Sequence, residues 1–135
     1  MPARPFLDTN VLIYAVSQND PRAPKAEALL LAGGIVSVQV LNEFVAEARR
    51  KMAMPWEDVR EALEAIRILC PSPIAVSVSV HETALDLAEK HAFSIYDALI
   101  AAAALDAGCH TLYSEDFQDG EVIEKKLTVR NPFSG

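Results

Sequence analysis

Short apolar runs alternate with longer helical segments along this chain, and that alternation is the strongest constraint on its fold. The predicted strands cover 4–8, 35–36, 74–78, 111–113 and 127–129. The predicted helices cover 10–17, 25–32, 38–52, 56–70, 79–91 and 98–107. Strands separated by helices favour parallel pairing, because a parallel connection must cross from one end of the sheet to the other. We therefore expect an α/β fold with a mainly parallel sheet, as a single domain over 1–135.

Several local signals set the predicted boundaries. Gly33-Gly34 is expected to end one helix, and Ser37 to cap the next. Two serines, Ser79 and Ser94, are each followed three residues later by an acid, which is the spacing of a capping box. The apolar, β-branched run at 74–78 predicts a strand.

Composition limits the classes of protein. With 51% hydrophobic residues, the 135-residue chain can bury a sizeable core. Its longest apolar run, 98–105, is too short to span a bilayer, and no secretory signal is visible. Cys70 and Cys109 lie far apart, as expected of reduced thiols in a cytoplasmic protein. The net charge of −7 argues against broad electrostatic binding of nucleic acid, although a cation held among clustered acids would neutralise part of it.

Three aspartates occupy positions where an α/β fold gathers its ligands. Asp8 and Asp116 each follow a predicted strand, and Asp97 begins a helix whose next eight residues are all apolar. Each has a structural alternative. Asp8 lies in a turn-forming stretch, but Thr9 and Asn10 are better placed than Asp8 to cap the following helix. Asp97 can complete a capping box, and Asp116 can belong to a polar turn.

Glu43 is less informative by itself. On a helical projection, one apolar face is formed by Val38, Leu41, Phe44, Val45 and Ala48. Glu43 lies roughly opposite that face, together with Glu47 and Arg50. The segment alone therefore indicates a solvated glutamate.

Taken together, the aspartates predict a metal site. If the strands are parallel, all three acids lie at one edge of the sheet and repel one another unless a cation neutralises them. Mg²⁺ is typically held by a few carboxylates with water and substrate phosphate. Such a site activates water for in-line attack on phosphorus. We therefore expect these carboxylates to lie close enough to share a cation.

At these same positions the sequence resembles the PIN-domain ribonucleases, in particular the VapC-type toxins of toxin–antitoxin pairs. The matching segments are Phe-Leu-Asp-Thr-Asn-Val-Leu-Ile-Tyr around Asp8, Leu-Asn-Glu-Phe around Glu43, Ser-Ile-Tyr-Asp-Ala-Leu-Ile-Ala-Ala-Ala around Asp97 and Leu-Tyr-Ser-Glu-Asp-Phe around Asp116. They follow the family's order and together span almost the whole chain.

The resemblance implies a three-layer α/β/α domain with an acidic cleft that binds Mg²⁺ or Mn²⁺ and cleaves RNA. By motif position, the catalytic and metal-binding acids would be Asp8, Glu43, Asp97 and Asp116. Thr9, Asn10 and Ser114 would be supporting polar groups that orient acids or water. The fourth acid varies most in position among members of the family, so Asp116 is the least secure of these assignments. Glu115 stands beside it, and Asp119, on the turn beyond the motif, is a weaker candidate. The family also implies a homodimer and an antitoxin partner in the cytoplasm, with no membrane association.

RNA would need cationic contacts outside the cleft. The candidate runs are Arg49-Arg50-Lys51 and Lys125-Lys126 with Arg130. Their structural alternative is an ordinary solvated surface.

Two other functions stay open on the sequence. One is a PIN-like module that binds RNA or protein without cutting. The other is an aspartate-based phosphotransferase, which also begins with an acid after its first strand. Asn10 disfavours the phosphotransferase, because such enzymes usually carry a second acid at that position.

Overall fold

A computed structural model describes residues 4–134 as a mixed α/β fold. In chain order the elements are β1 (Phe6–Leu7), α1 (Thr9–Ala15), α2 (Ala23–Ala32), α3 (Val38–Lys51), α4 (Trp56–Leu69), α5 (Val78–His91), α6 (Ile95–Asp106), β2 (Thr111–Tyr113), β3 (Val122–Ile123) and β4 (Leu127–Arg130). The predicted fold class, helices around a mainly parallel sheet, is confirmed.

The sheet has the order β1-β2-β4-β3, and only β3 runs antiparallel to its neighbour. Single parallel bridges, Phe6 to Ile35 and Ser37 to Ile74, extend the pairing beyond β1. The register sets Leu7 beside Tyr113, and Tyr113 beside Arg130. The carboxyl ends of the three parallel strands are therefore level, and the residues that follow them meet at one edge of the sheet.

The core lies between the sheet and its helices. Helix α1 contacts α2 and α3, while α5 packs on α6. Residues 98–104 of α6 are all buried, which confirms the prediction from their apolar run. Within residues 4–134, no helix is both long and apolar enough to cross a membrane.

The two glycines after α2 have separate roles. Gly33 ends the helix with φ of +85°, a conformation that side-chain-bearing residues rarely adopt. A Cβ atom on Gly34 would lie 2.9 Å from both the Pro5 carbonyl oxygen and the Leu7 Cγ atom. Because Gly34 has no side chain, the Ile35 segment can approach and pair with β1.

The segment before α5 differs from the prediction. Only Ile74 of the predicted strand 74–78 forms a bridge, and Val76 and Val78 are exposed. Helix α5 begins at Val78 and is capped by Ser77, whose Oγ accepts a hydrogen bond from Val80 N at 3.1 Å. Ser79 is therefore inside the helix and is not its cap. β-Branched residues favour strands only where the sheet can cover them, and these side chains have no such cover.

Candidate active site

Asp8 lies at the end of β1 and is 1% exposed. Its Oδ1 accepts a hydrogen bond from Thr9 N at 2.6 Å, so Asp8 itself is the N-cap of α1. The prediction that Thr9 or Asn10 is better placed for capping is wrong. Burial raises the pKa of Asp8 to about 7, with smaller contributions from the Asp116 and Glu43 charges, although its hydrogen bonds to Ser114 and Thr9 oppose the shift.

Ser114 joins the two strand ends. It is fully buried after β2, and its Oγ donates to Asp8 Oδ2 at 2.6 Å. The same oxygen accepts from Asp116 N at 3.0 Å and from Asn10 Nδ2 at 3.4 Å. One hydroxyl therefore connects Asp8 to the turn that carries Asp116.

Asn10 also contacts the turn that carries Ser114 and Asp116. Its Nδ2 donates to Asp116 Oδ2 at 3.3 Å. Within residues 4–134, its Oδ1 is the one buried side-chain nitrogen or oxygen without a hydrogen-bond partner. An unpartnered buried acceptor is costly, so this oxygen fits a neighbouring cation or a water donor.

Glu43 faces the site from α3. The buried residues of this helix are Val40, Phe44 and Ala48, while Val38 is 38% exposed. The apolar face is therefore rotated from the predicted one, and Glu43 flanks it. Its Oε2 accepts from Gln39 Nε2 at 2.9 Å, and its Oε1 accepts from Thr9 Oγ1 at 3.3 Å. The interpretation of Glu43 as a solvated residue is wrong.

The electrostatics connect Glu43 and Asp97 to the other acids. Burial raises the pKa of Glu43, and repulsion by Asp97 and then Glu47 adds to the shift. Burial also raises the pKa of Asp97, with a further contribution from Asp116 and an opposing one from Ser94. In addition, Ser94 Oγ caps α6 by accepting from Asp97 N at 3.1 Å. All four predicted acids thus belong to one electrostatic neighbourhood.

A cleft of about 280 Å³ opens beside this neighbourhood. Its lining residues are Thr9, Asn10, Ile13, Tyr14, Glu43, Glu47, Lys51, Glu115 and Asp116. Asp8 lies buried next to this lining. A larger groove of about 830 Å³ lies between α3 and α4, lined by Leu41, Val45 and Leu63 among others, and contains none of the four acids.

The donor set suits a hard divalent cation, because the four acids offer carboxylate oxygens and Asn10 adds a free amide oxygen. The carboxylates lie farther apart than the prediction of a shared cation requires. In the described part of the chain, no three His, Cys, Asp or Glu side chains are gathered closely enough to hold a metal ion. The site therefore matches a cation in chemistry, while the expectation of a shared cation is not met by the positions themselves.

Sequence reasoning assigned no role to Tyr14 and Gln39. Tyr14 follows Asn10 by four residues, and Gln39, Glu43, Glu47 and Lys51 also follow one another at intervals of four. This spacing places each set on one side of its helix, and is the signal that would have found them.

The two acids near Asp116 in the sequence, Glu115 and Asp119, make contacts with other partners. Glu115 accepts a hydrogen bond from Tyr14 and lies 3.9 Å from Arg22. Asp119 accepts from Asn131 N at 2.8 Å and fastens the C-terminal segment. Of the three candidate acids on this turn, only Asp116 contacts Asn10.

The predicted basic residues are divided between the two ends of the sheet. Lys51 lines the cleft, with its Nζ 3.9 Å from Glu47. Arg130 ends β4, and its own carbonyl oxygen accepts a hydrogen bond from Ser114 N at 3.1 Å. Lys125 and Lys126 lie in the turn before β4, at the opposite edge of the sheet. Only part of the predicted basic surface is therefore near the acids.

Comparison with known proteins gives a consistent result. No curated protein matches the sequence at a significant level. Crystal structures similar to this chain include VapC20 of Mycobacterium tuberculosis, described as a sarcin–ricin loop-cleaving toxin, with TM-score 0.66, 22% identity, and 83% of this chain and 89% of that chain covered. A toxin–antitoxin complex from Klebsiella pneumoniae has TM-score 0.71 and 21% identity, and covers 95% of this chain and 97% of that chain.

A third similar structure is VapBC2 from Rickettsia felis, bound to a DNA fragment from its promoter. It has TM-score 0.64 and 21% identity, and covers 94% of this chain and 97% of that chain. At these identities the likeness establishes the fold. The family model for the PIN domain matches residues 6–118. Since this match spans most of the chain, the protein belongs to the PIN domain family.

Proposed function

We propose that this protein is a metal-dependent endoribonuclease, the toxin of a type II toxin–antitoxin pair. One observation carries the proposal: Asp8, buried at the carboxyl end of a parallel sheet, is joined through Ser114 to the turn that bears Asp116. Burial raises the pKa values of Asp8, Glu43 and Asp97, and the smaller repulsions from the other acids that add to these shifts link all four acids into one group. Buried acids without cationic partners are characteristic of sites that bind a cation or react.

Asp8, Glu43, Asp97 and Asp116 would hold Mg²⁺ or Mn²⁺. The bound cation would supply Lewis acidity and charge neutralisation for phosphodiester hydrolysis. Both oxygens of Glu43 accept hydrogen bonds, from Gln39 Nε2 and Thr9 Oγ1, so its carboxylate has a defined orientation at the cleft, where it would orient the attacking water. Its raised pKa suits the removal of a proton from that water.

The supporting polar groups orient the acids. Ser114 fixes Asp8 Oδ2 and Thr9 N fixes Oδ1, so the Asp8 carboxylate has one defined orientation. Asn10 holds Asp116 Oδ2 through its amide nitrogen. Preorganised ligands of this kind spare the site the cost of ordering them when substrate binds.

The related structures support the biological part of the proposal. VapC20 is described as a toxin that cleaves the sarcin–ricin loop, and two other similar structures are toxin–antitoxin complexes. We propose an RNA substrate, a cognate antitoxin encoded by a neighbouring small reading frame, and a homodimer acting in the cytoplasm. Native mass spectrometry of the toxin co-expressed with that neighbour would test the partner and the oligomeric state.

Cleavage of RNA by the purified protein tests the activity. We expect cleavage with Mg²⁺ or Mn²⁺, none with EDTA, and loss in both Asp8→Asn and Asp97→Asn while the fold survives by circular dichroism. Asp119→Asn is the matched control, since its amide can still accept from Asn131 N and the residue lies outside the acidic group. Retained cleavage in both site variants would contradict the assigned site.

The same samples discriminate the alternatives. RNA binding without cleavage under every metal condition would favour a non-catalytic PIN-like module. A stable phosphoryl adduct on Asp8 would favour the phosphotransferase. Mapping the cut ends on total RNA would identify the target, and 5′-phosphate with 3′-hydroxyl ends are expected from the family resemblance.

A further inference from the structure

Two adjacent acids on the turn after β2 are held by different partners. Glu115 accepts a hydrogen bond from the Tyr14 hydroxyl, and its Oε2 lies 3.9 Å from Arg22 Nη1. Asp116 instead accepts from Asn10 at 3.3 Å. Both side chains line the cleft, but Asp116 contacts Asn10 at the start of α1, whereas Glu115 contacts Tyr14 near its end.

Tyr14 is itself fixed by three contacts. Arg22 Nη1 donates to the Tyr14 hydroxyl oxygen at 2.8 Å, and the guanidinium carbon lies 3.8 Å from the ring centroid. Phe133 packs edge-on against the ring, with 5.0 Å between centroids. The tyrosine therefore has a defined ring plane and a defined hydroxyl position.

Arg22 is held in turn by Asp20. Its Nε and Nη2 donate to the two Asp20 carboxylate oxygens, each at 2.9 Å. This two-point contact fixes the guanidinium plane, because the planar donors match the carboxylate geometry. The remaining nitrogen, Nη1, is directed at Tyr14 and Glu115.

The hydroxyl proton of Tyr14 is thereby assigned. The Tyr14 oxygen accepts from Arg22, so its own proton goes to Glu115. Burial, and then the hydrogen bond and charge of Glu115, raise the pKa of Tyr14 to about 12. The group therefore remains a donor throughout the working range of pH.

We propose that Tyr14 and Arg22 are positioning residues that hold Glu115 at the rim of the cleft and thereby direct Asp116 toward Asn10 and Asp8. Residues 115 and 116 are adjacent, so holding the Glu115 side chain in one place restricts the backbone from which the Asp116 side chain projects. Ser114 contributes from the opposite side by accepting from Asp116 N. The inference rests on the proposed function, since it assigns Asp116 and not Glu115 to the metal site.

Binding of Mn²⁺ alone to the full chain, measured by electron paramagnetic resonance, tests this arrangement. Asp116→Asn removes the proposed ligand, so we expect it to bind Mn²⁺ at least about tenfold more weakly. Glu115→Gln retains an acceptor for Tyr14 and should stay within about twofold of wild type. Glu115→Ala and Tyr14→Phe lose the contact, and each should weaken binding about tenfold with little change in melting temperature.

The outcomes separate the possibilities. If Glu115→Gln loses Mn²⁺ as severely as Asp116→Asn, Glu115 is a ligand and the proposal is overturned. Wild-type binding in both Tyr14→Phe and Glu115→Ala would also overturn it. Unchanged binding in Asp8→Asn would instead overturn the proposed metal site.

A second measurement does not depend on metal. In a crystal structure of Tyr14→Phe, we expect the Asp116 carboxylate to have left Asn10, with Glu115 free to rotate. An unchanged Asn10–Asp116 contact in that variant would refute the positioning role even if the metal site proved to be elsewhere.

Discussion

The two ends of the parallel sheet carry charge in opposite ways. At the carboxyl end, Asp8 is buried against hydroxyl and amide groups, and its pKa is raised. At the amino end, Glu124 is partly exposed, and its Oε1 lies 3.2 Å from Lys90 Nζ and 3.3 Å from His91 Nε2. Its pKa is lowered, chiefly by the hydrogen bond from Lys90.

The difference separates a functional charge from a structural one. Glu124 pairs two elements and is stabilised by the cations it meets. Ionisation of Asp8 is opposed by burial and by repulsion from neighbouring acids, and its hydrogen bonds with Ser114 and Thr9 offset only part of that cost. A bound cation would offset it. The following predictions test this contrast, from the largest expected effect to the smallest.

The pH dependence of stability should be dominated by the carboxyl end. The folded-state pKa of Asp8, about 7, lies above its ordinary value of 3.8, so folding takes up a proton between those pH values. The stabilisation by protonated Asp8 is full below about pH 4 and is lost as the pH rises through about 7. The change amounts to about 4 kcal/mol.

Urea unfolding in EDTA at pH 5 and pH 8 measures this effect. We expect the wild-type free energy of unfolding to fall between these values, and Asp8→Asn to lose most of the fall. Equal pH dependence in the two proteins would mean that ionisation of Asp8 does not lower the free energy of unfolding.

Ser114→Ala should further destabilise the ionised form of Asp8, because Ser114 Oγ donates a hydrogen bond to its carboxylate. Removing a donor to a buried charged carboxylate costs about 2 kcal/mol, and less when that carboxyl is protonated. The loss in unfolding free energy should therefore be larger at pH 8 than at pH 5. Ser77→Ala is the matched control, because Ser77 Oγ caps α5 by accepting from the backbone amide of Val80, which does not titrate, and its loss should vary little with pH.

RNA affinity should also distinguish the two ends. In a non-cleaving Asp8→Asn background, we expect Lys51→Gln with Arg130→Gln to weaken RNA binding about tenfold and to reduce the salt dependence. Lys125→Gln with Lys126→Gln changes the same charge at the opposite edge and should alter affinity less than about twofold. Equal losses would show that RNA does not prefer the carboxyl end.

The smallest effect is expected at Glu124. Glu124→Gln removes partly exposed ion pairs, which should shift the melting temperature by less than about 4 °C and leave RNA cleavage unchanged. A larger shift, measured by calorimetry, would mean that the Glu124 ion pairs at the amino end contribute substantially to stability.

Much of the helix and strand order was predictable from sequence because the signals are local. Ser37 and Ser94 cap their helices as predicted. In the apolar run after Asp97, residues 98–104 are all buried within α6. By contrast, the prediction of a strand at 74–78 was wrong, because β-branched residues form a strand only where the rest of the sheet can cover their side chains.

The candidate site divides in the same way. Two of its acids, Asp8 and Asp116, were predictable as residues that follow strands. The orientation of Glu43 was not, because an amphipathic helix has a broad apolar face and the sequence does not say which flank meets the site.

The sequence by itself determined the α/β class, the order of the six helices and two acids at the carboxyl edge, Asp8 and Asp116. These follow from residue periodicity and turn chemistry, which act over a few neighbours. Only the tertiary structure decided that Glu43 faces Thr9, that Asp116 and not Glu115 meets Asn10, and that Lys51 lies in the cleft while Lys125 lies at the opposite edge. Each of these depends on how elements distant in sequence pack together, and no local pattern encodes that direction.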